Sequence, residues 1–320
     1  MKKEEIYNRV TSKIIEILKS HKELNYSASW LHVGQFAKNA VSGKFYNGLN
    51  QLMLSFDTEK AGYPLNNWLT FNQIRKNGGK LKKGSRAEIV TFWKFLYFDE
   101  NGKNITKLIE SLKVSLTGNV KASYFKKVPV LRYFNVFNVA QTEDLPERFY
   151  KLPEPIAETM TQADRDKEAD KIIKNTGANI QHLKQNKACY VPSLDYIKLP
   201  EVEQFFSPED LYKTIFHELG HWTGHVKRLN RDMSGRFGDK SYAKEELIAE
   251  LCSAFLCQSV NYKKTITSNA AYIENWLQAL ENDNKFIVSA SSKAQKAANF
   301  IFSFTDKKTP KKPTAEKKAV

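Results

Sequence analysis

The chain has 320 residues, too many for one small core and enough for two ordinary domains, and its 41% hydrophobic and 12% aromatic content excludes global disorder. Charges break every apolar run, so neither a secretory leader nor a membrane span is expected. The net charge of +15 is uneven: residues 1–150 carry 24 Lys and Arg against 13 Asp and Glu, residues 151–306 carry 20 against 21, and residues 307–320 carry 6 against 1. A polyanionic partner therefore suits the first half and not the near-neutral second.

From the N-terminus, Ile6, Val10, Ile14, Ile17 and Leu18 recur at helical spacing. Residues 30–56 mix turn signals with an apolar run ending in Leu52, Leu54 and Phe56. A short helix is expected from about Trp68 to Lys76, then a glycine turn at Gly78–Gly79 and a strand pair around "KKGS". "EIVTFWKFLYF" and "PVLRYFNVFNVAQ" read as strands, with the Asn-Gly of "ENGK" as a hairpin-type turn after the first. Prolines and charges then mark a linker at residues 146–165. "DKEADKIIKNTG" reads as a helix stopped by glycine and "ACYVPSLDYIKLP" as a strand or hairpin. The remainder is mainly helical, and residues 306–320 form a low-complexity basic tail, expected to be disordered. The fold class expected is α+β in two domains: residues 1–145 with a mostly antiparallel sheet, and residues 166–305, mainly helical. Three cysteines, Cys189, Cys252 and Cys257, lack metal-type spacing and read as reduced thiols in a cytoplasmic setting.

The chemistry lies in "SPEDLYKTIFHELGHWTGH". Ser207 suits an N-cap, Pro208 the first helical position, and Glu209 and Asp210 the positive helix end. His217 and His221 then lie one turn apart on one face, able to converge on one zinc, while Glu218 sits where its carboxylate can deprotonate a water on the metal. His225 is the tempting third ligand, but it would lie about 12 Å along the axis from His217 at ~1.5 Å per residue. A better source is "YAKEELIAELCSAFLC", where Glu246 and Glu250 share a helix face at i, i+4. One carboxylate there can bind the metal while the other orients a ligand histidine, and spacing alone leaves the choice open. The register resembles that of the gluzincin glutamate helix, which implies Glu246 on the metal and Glu250 behind a histidine. Glu245 points elsewhere and reads as part of a solvated face. Tyr242, Arg228 and Arg231 are candidate oxyanion partners, weighed against surface packing.

In the basic half, Phe45, Tyr46, Trp68 and Phe71 are candidates for base stacking. Lys44, Arg75, Lys76, Lys80, Lys82, Lys83 and Arg86 are candidates for phosphate contact. No base-reading motif is present.

Taken together, the motifs resemble those of the ArdC antirestriction protein family of conjugative plasmids and related mobile elements. "HELGHWTGH", "RLNR", "YAKEELIAEL" and "YVPSLDYIKLP" are similar to the family's zincin-like metallopeptidase domain; "SGKFYNGLN", "WLTFNQIRKNGGKLKKGS" and "VFNVAQTEDL" are similar to its single-stranded-DNA-binding domain. The family commonly has a proline after Asn39, where this chain has Ala40. The resemblance implies single-stranded DNA as partner, protection of incoming DNA against host restriction, and a divalent ion (Zn2+, or Mn2+ or Co2+) on His217, His221 and Glu246. On the enzymatic reading Glu218 is the catalytic base and a host restriction or defence component is the peptide substrate; the resemblance itself leaves open whether a peptide is cut. The alternative is a DNA-coating protein whose metal is a structural staple.

Overall fold

The computed structural model describes residues 3–23, 36–111, 125–152, 162–235, 239–260, 262 and 270–306. They fall into two compact units that interleave in sequence: Met1–Ile6, Asn39–Lys44 and Asn67–Tyr150 form the first, and Tyr7–Lys38, Phe45–Asn66 and Lys151–Val320 the second. The expected linker lies partly outside the described residues; within them, Glu147–Phe149 is a 3-10 turn and the next helix already starts at Gln162. The expected basic tail lies outside the described residues beyond Asp306.

The first unit is built on a sheet of β1 (Lys38–Asn39), β2 (Asn67–Thr70), β4 (Glu88–Phe98) and β5 (Lys126–Asn138), in the order β1-β2-β5-β4. β4 and β5 pair antiparallel without a break from Glu88↔Val136 to Phe98↔Lys126. The helix expected from Trp68 is shorter than its pattern suggested. Trp68, Leu69 and Thr70 pair with Asn138, Phe137 and Val136 as strand. The helix α3 (Phe71–Lys76) begins only after Thr70, whose hydroxyl accepts from Gln73 N while Gln73 Oε1 accepts from Thr70 N. "KKGS" likewise makes no strand pair of its own; β3 (Lys80–Leu81) pairs with β6 (Thr142–Glu143). A short helix α4 (Thr106–Ser111) follows β4.

The second unit holds α1 (Lys3–Glu23, from Tyr7), α2 (Leu49–Lys60), α5 (Gln162–Thr176), α6 (Pro208–Trp222), α7 (Lys240–Ser259), α8 (Ala270–Asn282) and α9 (Phe286–Asp306). Beside them lies a small sheet of β7 (Asn179–Leu183), β8 (Cys189–Val191) and β9 (Tyr196–Pro200) in the order β7-β9-β8, so β8 is an edge strand. Ile14 and Leu18 of α1 and Leu49 and Leu52 of α2 meet Leu247, Leu251, Leu280 and Ile287 of the C-terminal helices. Each such buried aliphatic stabilises by roughly 1.5–3 kcal/mol. Residues early in the chain thus complete the later unit's core, whereas the sequential division placed all of 1–145 in one domain. Among the described residues no helix is long and apolar enough to cross a membrane.

Candidate metal centre

The metal helix forms as its sequence dictates. Ser207 Oγ accepts from Asp210 N at 3.1 Å and donates to Asp210 Oδ2 at 2.9 Å, with Pro208 in the first turn. Gly220 then lets α6 lie against α7: a Cβ there would meet Ala249 Cα at 2.9 Å. That approach brings the faces carrying His217 and His221 onto the face carrying Glu246 and Glu250.

His217, His221 and Glu246 each offer one ligand atom within 4.8 Å of the others. The two Nε2 atoms are 3.2 Å apart, and they lie 3.5 and 3.6 Å from the Glu246 carboxylate oxygens. Those separations approach the edge of roughly 3.3 Å expected for ligand atoms ~2.05 Å from a tetrahedral centre. The donor chemistry agrees. His217 Nδ1 donates to Glu250 Oε2 at 3.0 Å and His221 Nδ1 donates to Glu245 Oε1 at 3.2 Å. In neutral rings both Nε2 atoms then carry lone pairs, aimed at each other and at a carboxylate, an arrangement that a divalent cation satisfies. Without an ion, burial opposes protonation of His217, but hydrogen bonds to Glu246 and Glu250 outweigh it and push its pKa up to about 10, so a bound cation would take the place of the proton on Nε2. Burial also opposes ionisation of Glu246, whose side chain is 12% exposed, yet the two histidines and the Tyr242 hydroxyl hold its carboxyl below the usual range. The structure thus brings His217, His221 and Glu246 together, with Glu250 behind His217.

The expectations for Glu245, Arg228 and Arg231 need correction. Glu245 is not on a solvated face: it is buried, bonds His221, and accepts from Arg231 Nε at 2.9 Å and Nη2 at 2.6 Å. Sequence reasoning missed it because adjacent side chains of a helix, such as Glu245 and Glu246, point about 100° apart and are not expected to face one partner. Here the partner is wider than one residue, comprising two histidines and an arginine. Arg228 and Arg231 are neither oxyanion partners nor loose surface residues; they close the end of α6. Arg228 donates to Trp222 O and to both Asp195 oxygens and stacks on the Trp222 ring at 4.0 Å, and Arg231 donates to Gly220 O at 2.7 Å. His225 lies past the helix end, where its Nδ1 accepts from Lys227 N and sits 3.9 Å from Asp195.

The site opens into a cavity of about 670 Å³, lined among others by Cys189 and Tyr190 of edge strand β8, Lys213 and Tyr242. Glu218 is buried at its wall. Among the described residues, the carboxylates of Glu245, Glu246 and Glu250 are engaged by histidine or arginine, whereas Glu218 has no hydrogen bond or ion pair.

The nucleic-acid candidates do not form one set. Trp68 is 0% exposed, so the expected stacking ring is a core residue: its strand position turns it inward. Phe71 is 48% exposed, and Arg75, Lys76, Lys82, Lys83 and Arg86 of the same unit are also exposed. Lys80 is exposed too but pairs with Asp144 at 3.0 Å and Glu143 at 3.7 Å. Exposed Lys44 belongs to the first unit, whereas exposed Phe45 and half-buried Tyr46 belong to the second. An aromatic strip on β4 and β5 was absent from the candidate set: exposed Phe92 stacks on Phe134 at 5.0 Å, and on the opposite face Lys127 Nζ lies 4.0 Å from the ring centre of exposed Phe95. Its signal was the alternation in "TFWKF", which puts rings on both faces of β4 when a core needs only one.

The family described as a zincin-like metallopeptidase matches residues 167–293, and that described as the N-terminal domain of anti-restriction factor ArdC matches residues 4–137. The chain is 32% identical over 278 residues to an Escherichia coli DNA primase TraC, covering 87% of this chain but 25% of that protein. It thus spans about a quarter of that relative's length. It is 32% identical over 302 residues to an uncharacterized protein, y4eC, of Sinorhizobium fredii (strain NBRC 101917 / NGR234), covering 93% of this chain and 91% of that one. The metal-free crystal structure of the antirestriction ArdC protein from plasmid R388 superposes with a TM-score of 0.69 at 31% identity, over 95% of this chain and 99% of that one. Its Mn(II)-bound form gives 0.68 at 30%, with the same coverage.

Proposed function

The chain belongs to the ArdC-like antirestriction family, and from that premise we propose a cytoplasmic protein with two working parts. One holds single-stranded DNA without sequence preference through the basic first unit; the other is a metallopeptidase-type centre acting on a protein of the host's restriction or defence machinery. Together they protect incoming mobile DNA, as in conjugation.

The observation that carries the second part is the convergence of three ligand atoms beside one unengaged carboxylate. A divalent cation there, zinc or alternatively manganese or cobalt, supplies Lewis acidity that polarises a carbonyl and acidifies water. His217 and His221 would hold it through Nε2, each fixed in tautomer by a carboxylate at Nδ1, and Glu246 would supply the third bond. Glu218 Oε takes the proton of the attacking water and passes it to the leaving amine. Edge strand β8 would present its outer side to an extended peptide beside the cavity. The first part is supported by the charge of residues 1–150 and by the exposed rings of Phe71, Phe92 and Phe134 among cations.

Glu218→Gln tests the enzymatic reading. A general base contributes about 10²–10⁴-fold, so that variant should lose protection of transformed DNA while keeping its metal and its retention of single-stranded oligonucleotides. Full protection by Glu218→Gln would leave the rival reading, a DNA-coating protein with a structural metal, which the exposed aromatic strip favours.

A further inference from the structure

We propose that Arg231 and Glu245 are positioning residues of the metal centre, acting on its ion through His221. The inference rests on the reading that His217, His221 and Glu246 bind a divalent cation. His221 donates through Nδ1 to Glu245 Oε1, and Arg231 clamps both oxygens of that carboxylate. The same guanidinium donates to Gly220 O at 2.7 Å and Thr223 Oγ1 at 2.7 Å. The hydrogen-bonded circuit therefore leaves α6 at His221, crosses to α7 at Glu245, and returns to α6 next to its starting residue. Arg231 is 5% exposed at its side chain, and Gly224 keeps its path open: a Cβ there would meet Arg231 Nη2 at 2.9 Å. A carboxylate clamped on both oxygens cannot swing, so it fixes the ring plane, the tautomer and the direction of His221 Nε2. Charge supports the same role. Glu218, Glu245, Glu246 and Glu250 gather around two histidines, and Arg231 neutralises Glu245, one of the two that neither bind the ion nor take a proton. Lysine could not replace it, because the clamp requires two parallel donors.

The test is titration of Mn2+ into the full chain stripped of metal, with the thermal midpoint of the metal-free protein measured beside it. Glu245→Gln and Arg231→Lys should each weaken Mn2+ binding by about 10–100-fold, at a metal-free midpoint close to wild type. The double variant should lose little more than either single one, since both act through one path. Arg228→Lys is the control: it closes the same helix end without touching His221, and its Mn2+ affinity should stay within about threefold of wild type. Unchanged affinity in Glu245→Gln would overturn the proposal. So would losses that track the fall in midpoint across all variants, Arg228→Lys included. If Glu245→Gln does not fold, Arg231→Lys and Gly224→Ala, which obstructs the guanidinium, decide by the same readings. One ion in the wild type, none in His217→Ala and full affinity in Glu245→Gln would sink this inference alone; no stoichiometric ion in the wild type would sink the metal reading and the inference with it.

Discussion

His225 follows the ligand pair at the same four-residue interval, yet the helix that would carry it onto the ligand face stops at Trp222. Each of the last four carbonyls of α6 finds a donor: Leu219 O from Thr223 N, Gly220 O from Thr223 Oγ1 and Arg231, His221 O from Gly224 N, and Trp222 O from Arg228. Arginines at that end also complement the negative pole of the helix. Arg228 does more, holding the Asp195 carboxyl well below the usual range, at about 2. A depressed carboxyl pKa stabilises above its unfolded value, near ~3.9, and that contribution disappears as pH falls through the folded value. Asp195→Asn should therefore lower the urea midpoint at about pH 5, and the difference from wild type should vanish towards about pH 2. A difference independent of pH over that window would show that the ion pair is not its cause.

At the scale of elements, the centre depends on how closely α6 approaches α7. Gly220 sets that distance, since a methyl group there would fall 2.9 Å from Ala249 Cα and 3.2 Å from Ala249 O, both backbone atoms with no rotamer to escape through. Gly220→Ala should cost about 1–3 kcal/mol of stability. It should also weaken Mn2+ binding by displacing His217 and His221 from Glu246. Calorimetric unfolding and metal titration measure the two effects, and a stable variant with normal affinity would contradict this account of the helix contact. The two helices themselves were legible, because caps and periodicity are local properties. So was the pairing of Glu246 with Glu250, one turn apart. Glu245 and Arg231 were not, because their meeting depends on a loop returning from the end of α6 to α7, which no spacing within either helix encodes. Trp68 failed for the opposite reason: "WLTFNQIRK" has a helical pattern, but the ladder to β5 takes its first three residues and turns the ring into the core.

For the whole molecule, charge and fold divide the chain differently. The basic surplus spans residues 1–150, while α1 from Tyr7 onward and α2 supply core to the unit that carries the metal centre. The two-part α+β organisation was visible from composition and motif order. The interleaving was not, since Ile14, Leu18, Leu49 and Leu52 would look the same in any core. A deletion removing residues 1–66 should consequently destabilise the metal-bearing unit as well as alter DNA binding. Single substitutions separate the roles better. Phe71→Ala and Phe92→Ala should each weaken retention of single-stranded oligonucleotides by about 1–3 kcal/mol at unchanged thermal midpoint. Trp68→Ala should cost about 3–5 kcal/mol of stability. Filter retention across a salt series, with unfolding in parallel, checks both, and normal retention in both phenylalanine variants would remove these rings from the DNA surface.

The account stands on one ion held by His217, His221 and Glu246. Anomalous diffraction from crystals of the full chain grown with Mn2+ tests it most directly. The expected result is a single strong peak bonded to both Nε2 atoms and to Glu246, with Glu245 and Glu250 at the far sides of the rings. A peak bonded instead to His225 or Asp195, or none between the two histidines at saturating Mn2+, would contradict it.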